Sequence, residues 1–120
     1  MSTLKVYQYA ACGTCQKALK WLKANDVVFE AIPIVEQPPT VEVLKQVLVL
    51  SGLDVRKLFN TSGVVYKEQN MKDKLPGMSE EAMLALLASN GKLIKRPIVI
   101  DGERATVGFK EETFGTVWGS

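Results

Sequence analysis

Cys12 and Cys15 are the only thiols of this 120-residue chain, set as Cys-Gly-Thr-Cys inside the run YQYAACGTCQKALKWL. Residues 4–9, LKVYQY, are rich in β-branched and aromatic side chains and predict a strand. From Cys15 the apolar positions Ala18, Leu19 and Leu22 keep helical spacing, while Gln16, Lys17, Lys20 and Lys23 take the other side. The pair therefore sits where a strand passes into a helix, Cys12 at the junction and Cys15 one turn further in, sharing a face. Unpaired N–H groups and the positive end of the helix dipole favour an anion at such a junction. Thiol pKa values there fall from about 8.5 to roughly 3.5–7.5, so Cys12 is expected to ionise readily. That gives a division of labour in which Cys12 attacks an oxidised sulfur or another electrophile and Cys15 resolves the adduct by closing an internal disulfide. Gly13 and Thr14 are expected to keep the mouth of the site small and accessible. Two plainer readings stand beside this one: a pair of small buried apolar fillers, and half of a zinc site completed by carboxylates or a second chain.

The run KRPIVI supplies a second candidate group. A proline at the start of a strand lacks the N–H that a central strand uses. A cis Pro97 would turn Arg96 toward the thiols, where a guanidinium stabilises a thiolate or grips an oxyanion with two donors. The ordinary alternative is a strand-entry proline beside a surface arginine.

Composition removes several classes. Histidine is absent, which excludes Ser-His-Asp and Cys-His catalysis and imidazole bases. A net charge of +2, with lysines spread along the chain, gives no argument for direct nucleic-acid binding. No stretch reads as a membrane span or a secretory leader, so a cytoplasmic location is expected, where paired cysteines are more often catalytic, redox-sensing or metal-binding than structural. At 47% hydrophobic residues the chain is expected to form one domain, residues 1–120, with a real core.

The elements that must position these groups follow from the pattern. A second strand is predicted at 27–35, making a β-α-β unit with a parallel pair. A helical insertion at about 38–92 follows. In it Thr40 caps a helix carrying Leu44, Val47 and Leu48 and ending near Ser51-Gly52. A short helical piece covers 54–59, and a turn falls at 60–63. Ser79 caps a further helix with Met83, Leu86 and Leu87 inward, closed by Asn90-Gly91. Strands at 97–100 and 104–109 flank Asp101-Gly102, a hairpin signal. A terminal helix at 111–118 presents Phe114, Val117 and Trp118 to the sheet.

The runs YAACGTCQKALKWL, LFNTSGVVYKE, LLASNGKLIKRPIVID and VGFKEE together resemble the arsenate reductase/Spx family over nearly the whole chain. The resemblance implies an α/β, thioredoxin-like fold: a four-stranded mixed sheet in the order β-α-β, helical insertion, β-β-α. It also implies that Cys12 is the nucleophile, that Arg96-Pro97 are the arginine and cis-proline facing it, and that Cys15 is the second cysteine of Spx-like members. Arsenate reductases of this type hold the oxyanion with three arginines. Here Arg96 aligns with one of them, while Asn60 and Phe109 stand at the other two positions. The expected function is therefore a thiol-disulfide reductase, with glutathione as a possible co-substrate, no bound cofactor, and glutaredoxin or thioredoxin as redox partners. The alternatives are arsenate reduction and an Spx-like redox-switched regulator binding the RNA polymerase α subunit. A monomer is expected.

Overall fold

The computed structural model describes residues 4–9, 11–61 and 63–119. Strand β1 (Leu4–Gln8) runs down the middle of a four-stranded sheet, parallel to β2 (Phe29–Pro33) on one side. On the other side it runs antiparallel to β3 (Ile98–Ile100), which pairs with the edge strand β4 (Ala105–Val107). The spatial order β2-β1-β3-β4 is the mixed thioredoxin-like arrangement expected from the sequence. Helix α1 (Gly13–Ala24) makes the β1-to-β2 crossover, and α6 (Glu111–Trp118) closes the chain within the residues predicted for it.

Side chains alternate across the sheet and feed two cores. Leu4, Val6 and Val99 pack with Ala18 and Leu22 of α1 and with Phe114 and Trp118 of α6. Tyr7, Ile98, Ile100 and Ala105 face the other way, onto α2 (Val41–Ser51) and α5 (Glu80–Ser89). The sheet is thus covered on both faces, and its central strand is fixed from above and below. A buried hydrogen bond from Trp118 Nε1 to Thr106 Oγ1, 3.1 Å, pins the last turn of α6 to β4.

The predicted caps are in place. Thr40 and Ser79 accept from the N–H groups of Val43 and Ala82, and Gly52 ends α2 at φ +74°. The short helical piece is a 3₁₀ turn (Val55–Leu58), at whose head Asp54 accepts from Arg56 N–H, a cap that the sequence reading did not name. The Asp101-Gly102 turn closes the β3-β4 hairpin, Asp101 accepting from the N–H groups of Glu103 and Arg104. Of the turn at 60–63, Ser62 lies outside the described residues; Gly63 N–H donates to Asn60 O.

Several boundaries differ from expectation. The second strand is shorter than 27–35 because Val27 N–H is taken by Leu22 O at the end of α1, after Asp26 turns at φ +57°. Val28 is consequently 84% exposed. In α5 the fully buried positions are Leu84 and Leu87, with Met83 almost so, whereas Leu86 is only half-buried. Two short helices, α3 (Val64–Glu68) and α4 (Met71–Lys74), fold where no element was expected; each is too short for a periodic signal, and Met71 is the only fully buried side chain between them.

Candidate functional site

Cys12 occupies the position just before the first turn of α1, in extended backbone at φ −91°, ψ 117°. Its N–H donates to Tyr9 O at 3.0 Å and its carbonyl accepts from Gln16 N–H at 3.1 Å, so strand end and helix start hold it from both sides. The first turn of α1 carries no acidic residue. The other long helices do: Glu42 in α2, Glu80 and Glu81 in α5, Glu111 and Glu112 in α6. Those carboxylates compensate the positive helix ends. In α1 the end is left for the Cys12 sulfur.

The two thiols differ sharply in environment. Cys12 is half-buried and Cys15 fully buried; both are free thiols. Burial pushes the Cys12 pKa up, but the nearby Cys15 amide and thiol and the Arg96 guanidinium outweigh it and hold the pKa below the usual 9.0. Burial raises the Cys15 pKa too, and there it prevails, to about 12; the Tyr9 N–H, 3.4 Å from its sulfur, only partly opposes this, and a charge on Cys12 adds to it. The pair is asymmetric, with one accessible sulfur that ionises early and one enclosed sulfur that keeps its proton.

Arg96 reaches this pair from the opposite segment. Its peptide bond to Pro97 is cis, and its guanidinium lies over the Tyr9 ring, 5.0 Å from the centroid. An isolated bridge between Phe59 and Ile94, with hydrogen bonds from Asn60 N to Leu93 O and from Lys95 N to Leu58 O, ties the 3₁₀ turn to the segment entering β3. Asn60 is thereby held on the same rim as Lys95 and Arg96. All three line an open cleft of about 1020 Å³ together with Cys12, Thr14 and Phe109. The structure thus brings Cys12, Thr14 and Arg96 to one cleft, with Asn60 and Phe109 facing the same space. Phe109 is engaged in an aromatic edge contact with Phe114, ring centroids 4.7 Å apart. Gly13 is exposed with nothing within 4 Å of where a β-carbon would stand, so steric room alone does not require glycine there.

Sequence reading missed how many cations meet at this cleft. Lys57, Lys95, Arg104 and Lys110 join Arg96 along its walls, and no carboxylate is among the lining residues. No sequence signal marks this, since the lysines come from three separate segments. Arg104 is already engaged: it pairs with Asp101 at 3.0 Å, donates to Val117 O at 2.6 Å and stacks on Trp118. Among the described residues no group of three or more Cys, Asp or Glu is placed to hold a metal ion, and no helix is long and apolar enough to cross a membrane.

Comparison with known proteins finds relatives that match nearly the whole length of the chain. The protein is 53% identical over 116 residues to YusI of Bacillus subtilis (strain 168), covering 97% of this chain and 98% of that one. It is 33% identical to the global transcriptional regulator Spx of Enterococcus faecalis, over 91% of this chain and 81% of that one. The crystal structure of an ArsC family related protein from Bacteroides fragilis superposes with a TM-score of 0.91 at 53% identity, covering 95% and 96% of the two chains. The ArsC family model matches residues 7–117, so the chain, with its thiol pair inside the matched region, belongs to the ArsC family.

Proposed function

We propose that the protein is a cytosolic thiol-disulfide reductase in which Cys12 is the nucleophile and Cys15 the resolving thiol. The observation that carries the reading is the asymmetry of the pair: a half-buried Cys12 held below the usual thiol pKa beside Arg96, and a buried Cys15 pushed up to about 12. In the first step the Cys12 thiolate attacks one sulfur of a substrate disulfide. The new Cys12–S bond forms as the substrate S–S bond breaks, and the departing thiolate takes a proton from water. Neutralising the Cys12 charge removes one of the influences that keep Cys15 protonated, while the Tyr9 N–H and Arg96 continue to favour its anion. Cys15 then gives up its proton and attacks the Cys12 sulfur, releasing the second substrate thiol and leaving a Cys12–Cys15 disulfide. Two electrons have passed from the protein to the substrate. Two equivalents of a thiol such as glutathione, or the dithiol of glutaredoxin or thioredoxin, return the protein to its starting state.

Arsenate reduction ranks below this. Losing one preorganised contact to a developing charge costs on the order of a hundredfold in rate. Asn60 and Phe109 offer no guanidinium, and Lys95 is a flexible point charge, not a planar fork. The regulator reading, in which the oxidised or reduced thiol pair sets binding to the RNA polymerase α subunit, is favoured by the similarity to Spx. Steady-state turnover with glutathione and glutaredoxin separates the readings. Expected are reduction of hydroxyethyl disulfide that Cys12→Ser abolishes, and arsenate reduction slower by about a hundredfold or more. Arsenate turnover exceeding disulfide turnover would reverse the order, and absence of both alongside capture of the polymerase α subunit would favour the regulator.

A further inference from the structure

The cleft beside Cys12 is far larger than a thiol or a small oxyanion requires, and its walls are chemically uneven. Its volume of about 1020 Å³ lies at the top of the range for sites that enclose a whole small molecule, roughly 300–1,000 Å³. Lys57, Lys95 and Lys110 line the cleft, and no carboxylate side chain is among the described lining residues. Among the described residues the one ion pair is Asp101–Arg104, so these three ammonium groups have no acidic partner. Leu50 and Leu53 near the end of α2 and Val117 of α6 add apolar surface to the cleft's lining. Leu53 is 37% exposed.

The backbone fixes the segments that carry these lysines. Lys57 belongs to the 3₁₀ turn that the Phe59–Ile94 bridge fastens to the Lys95 segment. Lys95 lies across Gly108, whose N–H is anchored to Pro97 O at 2.8 Å and whose φ is +82°. A β-carbon at 108 would stand 3.0 Å from Lys95 Cε, so glycine both adopts the left-handed turn and leaves the lysine its track. Lys110 immediately precedes α6.

A ligand that complements such a lining carries negative charge together with apolar groups. We infer that the cleft takes an acidic peptide segment bearing a disulfide, so that the physiological substrate is a protein disulfide flanked by Asp or Glu. This rests on the thiol-reductase reading above and names its substrate class. The segment's carboxylates meet Lys57, Lys95 and Lys110 while its disulfide meets Cys12, and its apolar side chains cover Leu50 and Leu53. The protein's two thiols supply the two electrons, so a single turnover needs no added reductant.

The test is single-turnover oxidation of the reduced protein by matched peptides that carry one disulfide and differ only in acidic, neutral or basic flanks. Two small disulfides, neutral hydroxyethyl disulfide and the dicarboxylate dithiodipropionate, serve beside them. Expected is an acidic-to-neutral rate ratio of about ten at low salt that shrinks toward one in high salt, as charge steering does. In the combined Lys57→Gln, Lys95→Gln, Lys110→Gln variant the same ratio should fall toward one even at low salt. Equal rates for the three peptides in the wild-type protein would overturn the inference while leaving the reductase reading intact. A preference for dithiodipropionate as large as that for the acidic peptide would also overturn it, since the apolar lining would then contribute nothing. Failure to reduce hydroxyethyl disulfide at all would sink the reductase reading and this inference with it.

Discussion

The two thiols at the head of α1 titrate in opposite directions from a common starting value, and stability and reactivity should both record it. Between the depressed pKa of folded Cys12 and the usual 9.0, the folded state has lost a proton that the unfolded chain still holds, so this thiol adds stability as pH rises. Between 9.0 and about 12 the folded state keeps the Cys15 proton that the unfolded chain has lost, so stability falls with rising pH there. Alkylation by iodoacetamide reads the same asymmetry directly. One thiol should react at a rate that levels off below pH 9, and peptide mapping should find it at Cys12, with Cys15 slow until strongly alkaline pH. Replacing Arg96→Ala should move the Cys12 profile to higher pH and slow its reaction at neutral pH by about two- to fivefold, the scale of a partly solvated charge contact. A profile that does not move would remove Arg96 from the electrostatics of the sulfur. Little beyond local patterning is needed to place these groups: a strand signal, a helix signal and the Cys-Gly-Thr-Cys spacing put Cys12 at the junction. For Arg96 the run KRPIVI offered two readings, a cis proline turning it toward the thiols or an ordinary strand entry, and the family resemblance chose between them, because its approach to Cys12 depends on how the sheet folds back.

Among the elements, those announced by a cap or a turn residue were the legible ones. Thr40 and Ser79 cap as read, and Asp101-Gly102 turns the hairpin. Helix α5 shows where pattern stops deciding: Met83, Leu84, Leu86 and Leu87 put apolar groups around much of its circumference, and only packing against α2 selects Leu84 over Leu86 for full burial. The β-branched run at 27–28 reads as strand, yet its first N–H is spent on the end of α1. Gly91 carries a constraint that its place after Asn90 does not reveal. It reads as a helix terminator, but a β-carbon there would overlap the Ile34 carbonyl and press on Val35 Cα at 3.1 Å. Gly91→Ala is therefore expected to destabilise the fold by about 1–3 kcal/mol, since backbone must shift to make room. Urea denaturation monitored through the tryptophans checks this, and an unchanged midpoint would mean that the contact between this segment and the end of β2 is loose.

At the scale of the whole molecule, the sheet with its two covered faces brings together groups that lie far apart in sequence: Cys12 from the first crossover, Asn60 from the insertion, Arg96 from the entry to β3 and Phe109 from the approach to α6. The lysines spread along the chain in the same way, and a net charge of +2 hides the fact that Lys57, Lys95 and Lys110 converge on one cleft. Charge counted along a sequence is blind to such convergence, because it arises from topology and not from any local run. The central claim is that the cleft delivers a disulfide to Cys12 and that Cys15 finishes the exchange. The most direct measurement is the intact mass of the protein after brief exposure to hydroxyethyl disulfide, for the wild type and for Cys15→Ser. The wild type should lose two hydrogens within a single chain and carry no adduct, while Cys15→Ser should accumulate a mixed disulfide that peptide mapping places on Cys12. A wild-type protein that keeps the adduct on Cys12, or that forms only disulfide-linked dimers, would contradict the account.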